Sequence, residues 1–185
     1  MWMFVSGLAL FFALHFATAT PAVRQSFVLR LGENAWKGIV ALGSLGAIVL
    51  ISFGWKFAPN TVLFAPSALA IRLAPVLVTV ALMLFVIGGG NLKGHIRRRL
   101  HHPMLVGVIL WSTTHLLANG GWRETLLFGS FLVFAVYALC SLLRAGKRAT
   151  FVPAWKWDAI GIGVGLFVAI GVMHSHKWLF GVAVS

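Results

Sequence analysis

Residues 101–122 read HHPMLVGVILWSTTHLLANGGW. Pro103 suits the first turn of a helix, where a missing N–H costs nothing. Asn119-Gly120-Gly121 supplies the turn chemistry that ends one. Between them lies an apolar run, 103–118, interrupted by a single imidazole, His115. Ser112, His115 and Asn119 recur at i, i+3 and i+7 and form one polar face. Lipid offers no hydrogen-bond partner, so this face is expected to look into a bundle.

The rest of the chain extends the same reading. Its 185 residues are 60% hydrophobic, with mean hydropathy +0.96, whereas a soluble domain is usually about half apolar. Six runs reach or approach the ~20 residues that cross a bilayer. They are expected at 2–19, 38–55, 73–89, 103–118, 125–143 and 159–183. The expected fold is therefore all-α, a polytopic transmembrane helix bundle of about six spans, with residues 1–185 as one domain. No length remains for a soluble catalytic domain. No Lys or Arg precedes the first run, so it reads as a retained helix rather than a secretory leader.

The net charge is +12, from 15 Lys/Arg against 3 acids. The cations lie in short connections between apolar runs. Charge placed there reads as topology and contact with anionic membrane lipid, not nucleic acid. The first, third and fifth connections hold eleven cations, and the other connections with the C-terminal end hold four. That asymmetry predicts both termini outside. The acids, Glu33, Glu124 and Asp158, fall just before or near the starts of spans, where carboxylates complement helix dipoles. No carboxylate is left inside the membrane for paired acid–base work. Cys140 is the only cysteine and is expected to pack as a small apolar residue. Gly43, Gly46, Ala47, Gly161 and Gly165 are expected to let helix backbones approach closely.

Histidine is then the residue with chemistry to explain. His15, His115, His174 and His176 fall within spans, while His95, His101 and His102 lie in the basic third connection. An intramembrane imidazole can be a neutral group bonded to a hydroxyl, amide or carbonyl of another helix. It can also be a metal ligand. A structural zinc ion wants four ligands, whereas haem needs one or two axial ligands and an apolar slot. No CxxCH occurs, so the group would be haem b, held non-covalently. By depth, His15 pairs with His102 and His115 with His176. His15 and His115 lie on the order of 15 Å apart in depth if each is about five residues past its span centre, in opposite directions.

Three stretches carry a resemblance. The opening quotation followed by LLFGSF, the segment ALHFATATPAVRQSFVLRLGENAWKG, and HKWLFGV resemble the NnrU family of bacterial inner-membrane proteins, across nearly the whole chain. That family is associated with denitrification and nitric-oxide metabolism and is related to the plant and cyanobacterial 15-cis-zeta-carotene isomerase, a membrane haem b protein with two axial histidines. The resemblance implies His15 and His115 as metal ligands, with His102 and His176 as further candidates for holding the cofactor. It implies a hydrophobic polyene substrate and redox-dependent cis–trans isomerisation, or a nitric-oxide role. The non-enzymatic alternative is an accessory or assembly factor for a respiratory nitrogen-oxide reductase. A lipid methyltransferase is a third reading, from His102-Pro103. Two positions depart from the related patterns: Ser112 stands where the isomerase has Cys, and Leu100-His101-His102-Pro103 replaces an Arg-His-Pro.

Overall fold

The computed structural model describes residues 1–59 and 61–180. These residues form eight helices: α1 (Trp2–Ala19), α2 (Pro21–Leu31), α3 (Glu33–Phe57), α4 (Ala68–Gly89), α5 (His95–Leu100), α6 (Pro103–Ala118), α7 (Trp122–Arg144) and α8 (Trp155–Phe180). No strand occurs among the described residues; the nearest approach is an isolated bridge, Val62 to Gly121. The protein is an all-α membrane bundle. α1, α3, α4, α7 and α8 are long and apolar enough to cross a membrane. α6 is apolar but has only 16 residues, about 24 Å of helix against a ~30 Å hydrocarbon core. The expected six spans are thus five long helices and one short one. Positions 181–183 of the expected sixth span lie outside the described residues.

Two helices were not among the expected spans. α2 follows α1 after a single residue and opens on Pro21, which is well placed in a first turn. α5 is a short basic helix, HIRRRL, inside the third connection. α3 and α4 also begin earlier than expected, so Lys37 and Arg72 ride inside their first turns. Long cationic side chains can be carried there because they reach back to the headgroup layer.

The helices pack as an open row, in the order α3, α1, α7, α6, α4, α8. α5 sits against the ends of α4, α6 and α8. Small residues set the closest approaches. A Cβ on Gly54 of α3 would collide with the backbone of Phe4 on α1, and one on Gly165 of α8 would meet the backbone of Met83 on α4. Gly46 faces open space instead and contributes no such contact. Cys140 is exposed on α7 rather than packed. The α1–α7 junction is aromatic: Phe4, Leu8 and Phe12 are buried against Phe131, Phe134 and Trp122. Many large apolar side chains face outward, such as Leu42 and Phe167, as a lipid solvent allows.

Candidate functional site

α7 presents Phe128, Phe131 and Phe134 along one side, at i, i+3 and i+6. His15 and His115 lean on this row from neighbouring helices. His15 of α1 stacks on Phe11 (ring centroids 4.0 Å apart) and meets Phe134 edge-on at 5.6 Å. His115 of α6 packs on Phe128 at 4.6 Å and on Trp111 at 5.2 Å. Phe131 joins the two sides, 5.4 Å from Phe11 and 5.4 Å from Trp111. The imidazoles are therefore linked through Phe11, Phe131 and Trp111 and do not touch. Their levels on α7 differ by the six residues from Phe128 to Phe134, about 9 Å along the helix.

The hydrogen bonds fix the tautomers. His15 Nδ1 lies 2.8 Å from Phe11 O and His115 Nδ1 lies 3.0 Å from Trp111 O. A carbonyl only accepts, so each Nδ1 carries a proton, and a neutral ring in this orientation has its lone pair on Nε2. Neither Nε2 has a hydrogen-bond partner among the described residues. The polar face of α6 is satisfied in the same way. Ser112 Oγ donates to Val108 O and Asn119 Nδ2 donates to His115 O, each four residues back. Ser112 is fully buried.

The other two candidates are placed differently. His102, at the start of α6, donates from Nε2 to Lys147 O at 2.7 Å, so its ring ties α6 to the loop after α7 and away from His15. His176 of α8 lies within electrostatic reach of His115. Among the described residues, no three of His, Cys, Asp and Glu converge as a metal-binding group.

A groove of about 600 Å³ runs between α1 and α7, walled by Val5, Leu8, Phe12, Leu126, Gly129 and Val133. It contains none of the candidate histidines. Its two hydroxyl residues, Thr125 and Ser130, donate to carbonyls of α7's own first turns or of Gly121 just before it. The groove is thus apolar in effect and suited to hydrocarbon.

A second polar centre was not anticipated. Asp158, in the first turn of α8, accepts from the backbone N–H of His95 (2.7 Å) and Ile96 (3.0 Å) and lies 3.1 Å from His95 Nδ1. It caps α5 across 63 residues of sequence. His95 stacks on Trp155 at 3.9 Å. A Cβ at Gly94 would collide with the Asp158 carboxylate, which explains the glycine. The row of phenylalanines on α7 was visible as spacing in the sequence; this clamp gave no local signal.

An all-α membrane protein with half-buried imidazoles packed on aromatic side chains is the class defined by this fold and these contacts. The family model described as NnrU protein matches residues 3–184, and the chain belongs to that family. No curated protein and no solved structure matches it.

Proposed function

We propose that this NnrU-family protein binds haem b between α1, α6 and α7 in the bacterial inner membrane, with both termini outside. His115 and His15 are the proposed iron ligands. One observation carries the reading: both rings have Nδ1–H fixed on a backbone carbonyl and an unpartnered Nε2 lone pair. A carbonyl bonded to the far nitrogen orients a ligating imidazole and raises its basicity. The surrounding Phe and Trp rings suit an apolar porphyrin. Phe11, Phe131 and Trp111 stand between the two imidazoles, so ligation by both histidines requires those rings to turn aside.

When bound, haem b supplies a redox-active iron in an apolar, water-poor setting. His15 and His115 hold it; the aromatic row excludes water; the apolar α1–α7 groove offers a surface to a hydrophobic polyene. Cis–trans isomerisation of such a substrate, or handling of nitric oxide, is the corresponding activity. A second reading is an accessory or assembly factor for a respiratory nitrogen-oxide reductase. The interleaved aromatic rings support it, since they make the histidines self-contained packing elements.

The deciding test is the absorption spectrum of detergent-purified protein, oxidised and dithionite-reduced, with pyridine haemochrome quantitation. The expected result is near-stoichiometric haem b. His115→Ala and His15→Ala are expected to lose it while helical circular dichroism is kept, and His102→Ala to retain it. No Soret band after haem supplementation overturns the haem reading, and co-purification with a reductase would then support the accessory one.

A further inference from the structure

A separate crevice of about 280 Å³ opens where the end of α1, α2 and the first half of α3 meet. Its mouth is charged. Arg24 Nη2 lies 2.6 and 2.7 Å from the two oxygens of Glu33, and Lys37 Nζ lies 3.3 Å from Oε1. Two cations against one carboxylate leave one positive charge. The Nε and Nη1 groups of Arg24 make no hydrogen bond among the described residues. The rest of the wall is mainly apolar, with Trp36, Val40 and Ala41; Trp36 is buried and stacked on Phe27 at 4.8 Å.

Ser44 also lines the crevice, seven residues or about 10 Å along α3 from Lys37. Its Oγ is buried and has no hydrogen-bond partner. Elsewhere in the bundle a buried or half-buried hydroxyl turns back on its own helix: Ser112, Thr114, Ser130 and Thr79 each donate to the carbonyl four residues earlier. Ser44 does not. An orphaned hydroxyl in an apolar wall costs free energy unless something outside the chain meets it.

We propose that this crevice is a binding site for one membrane phospholipid, independent of the haem reading. The phosphodiester sits at the mouth, neutralising the surplus charge with the unused donors of Arg24 and the Lys37 ammonium. An acyl-ester carbonyl accepts from Ser44, and the acyl chain follows the apolar wall. A lone inorganic phosphate matches the mouth only. The phospholipid matches the charge, the apolar wall and the hydroxyl together.

The test uses the full-length chain, purified in detergent and delipidated, then titrated with phosphatidylglycerol and, separately, with inorganic phosphate. Retained lipid is counted by native mass spectrometry, and thermal unfolding is followed in parallel. The wild type is expected to retain one lipid and to melt higher with lipid than with phosphate. Arg24→Gln is expected to bind about tenfold more weakly, the loss of roughly one charge-assisted contact. Ser44→Ala is expected to bind more weakly while melting no lower without lipid, because it removes the orphan. Should Arg24→Gln fail to fold, Lys37→Gln with Ser44→Ala carries the test. Equal lipid retention in wild type and variants overturns the proposal, as does an equal stabilisation by inorganic phosphate.

Discussion

Three histidines of the apolar helices and two at the polar end obtain their hydrogen bonds by opposite means. His15, His115 and His174 each turn Nδ1 to a carbonyl four residues back on the same helix. His95 and His102 reach partners 63 and 45 residues away, Asp158 and the Lys147 carbonyl. In hydrocarbon the nearest acceptor is the helix itself, and using it requires no second element. At the ends of helices, chain segments converge that carry unsatisfied polar groups, and a side chain there can join them. His15 and His115 are thus locally satisfied and leave Nε2 open for a ligand, whereas His95 and His102 are spent on architecture.

The clamp is where this contrast has its largest expected consequence. Asp158 is 6% exposed at the side chain and serves two backbone donors and one imidazole. Asp158→Ala strands the first N–H groups of α5 and is expected to cost about 3 kcal/mol, given that hydrogen bonds to charged groups contribute ~1.5–3 kcal/mol each. Asp158→Asn keeps one acceptor oxygen and is expected to lose about half as much. Thermal unfolding in detergent reads both, and faster proteolysis of the 145–154 loop should accompany them. An Asp158→Ala variant as stable as wild type would remove the distinction between the two sets of histidines.

The same contrast explains what could be read from the sequence. Hydropathy and length suffice for a helix in lipid, so α1, α6 and α7 fall close to their expected bounds. The polar face of α6 was also legible, because Ser112, His115 and Asn119 depend only on helix periodicity. Of the two readings of an intramembrane imidazole, a bond to another helix is not realised at His115, which like Ser112 and Asn119 uses a carbonyl of its own helix. Asp158 was placed correctly at the start of α8, but its role was read from that helix's dipole. Its oxygens point to α5, an element whose six residues are too few to show periodicity. The row order α3, α1, α7, α6, α4, α8 was equally hidden, because hydropathy orders helices along the chain and not in space.

A paired substitution sharpens the comparison at intermediate size. His102→Phe removes the donor to Lys147 O and should cost about 1 kcal/mol, the net value of a partly exposed hydrogen bond. His115→Phe should cost no more than about 0.5 kcal/mol in haem-free protein, since a surface of Trp111 and Phe128 accepts another aromatic ring. Trp111 O keeps its place in the helical ladder. Under the haem reading the order reverses for cofactor content, which His115→Phe abolishes and His102→Phe leaves intact. Stability by thermal melt and haem by absorbance, measured on the same two variants, separate the architectural role from the ligating one.

The smallest effect concerns Ser112. Its side chain is fully buried, yet its one hydrogen bond, 2.6 Å to Val108 O, stays inside α6. Loss of the hydroxyl leaves no orphan, because that carbonyl retains its helical N–H, and Ala has the better helix propensity. Ser112→Ala should therefore lie within about 0.5 kcal/mol of wild type in a melting curve. A cost well above that would mean the hydroxyl meets something besides its own helix. A melt performed with and without added haem then distinguishes the two cases: a penalty that appears only in the haem-loaded protein assigns Ser112 to the cofactor, and a penalty in both assigns it to packing.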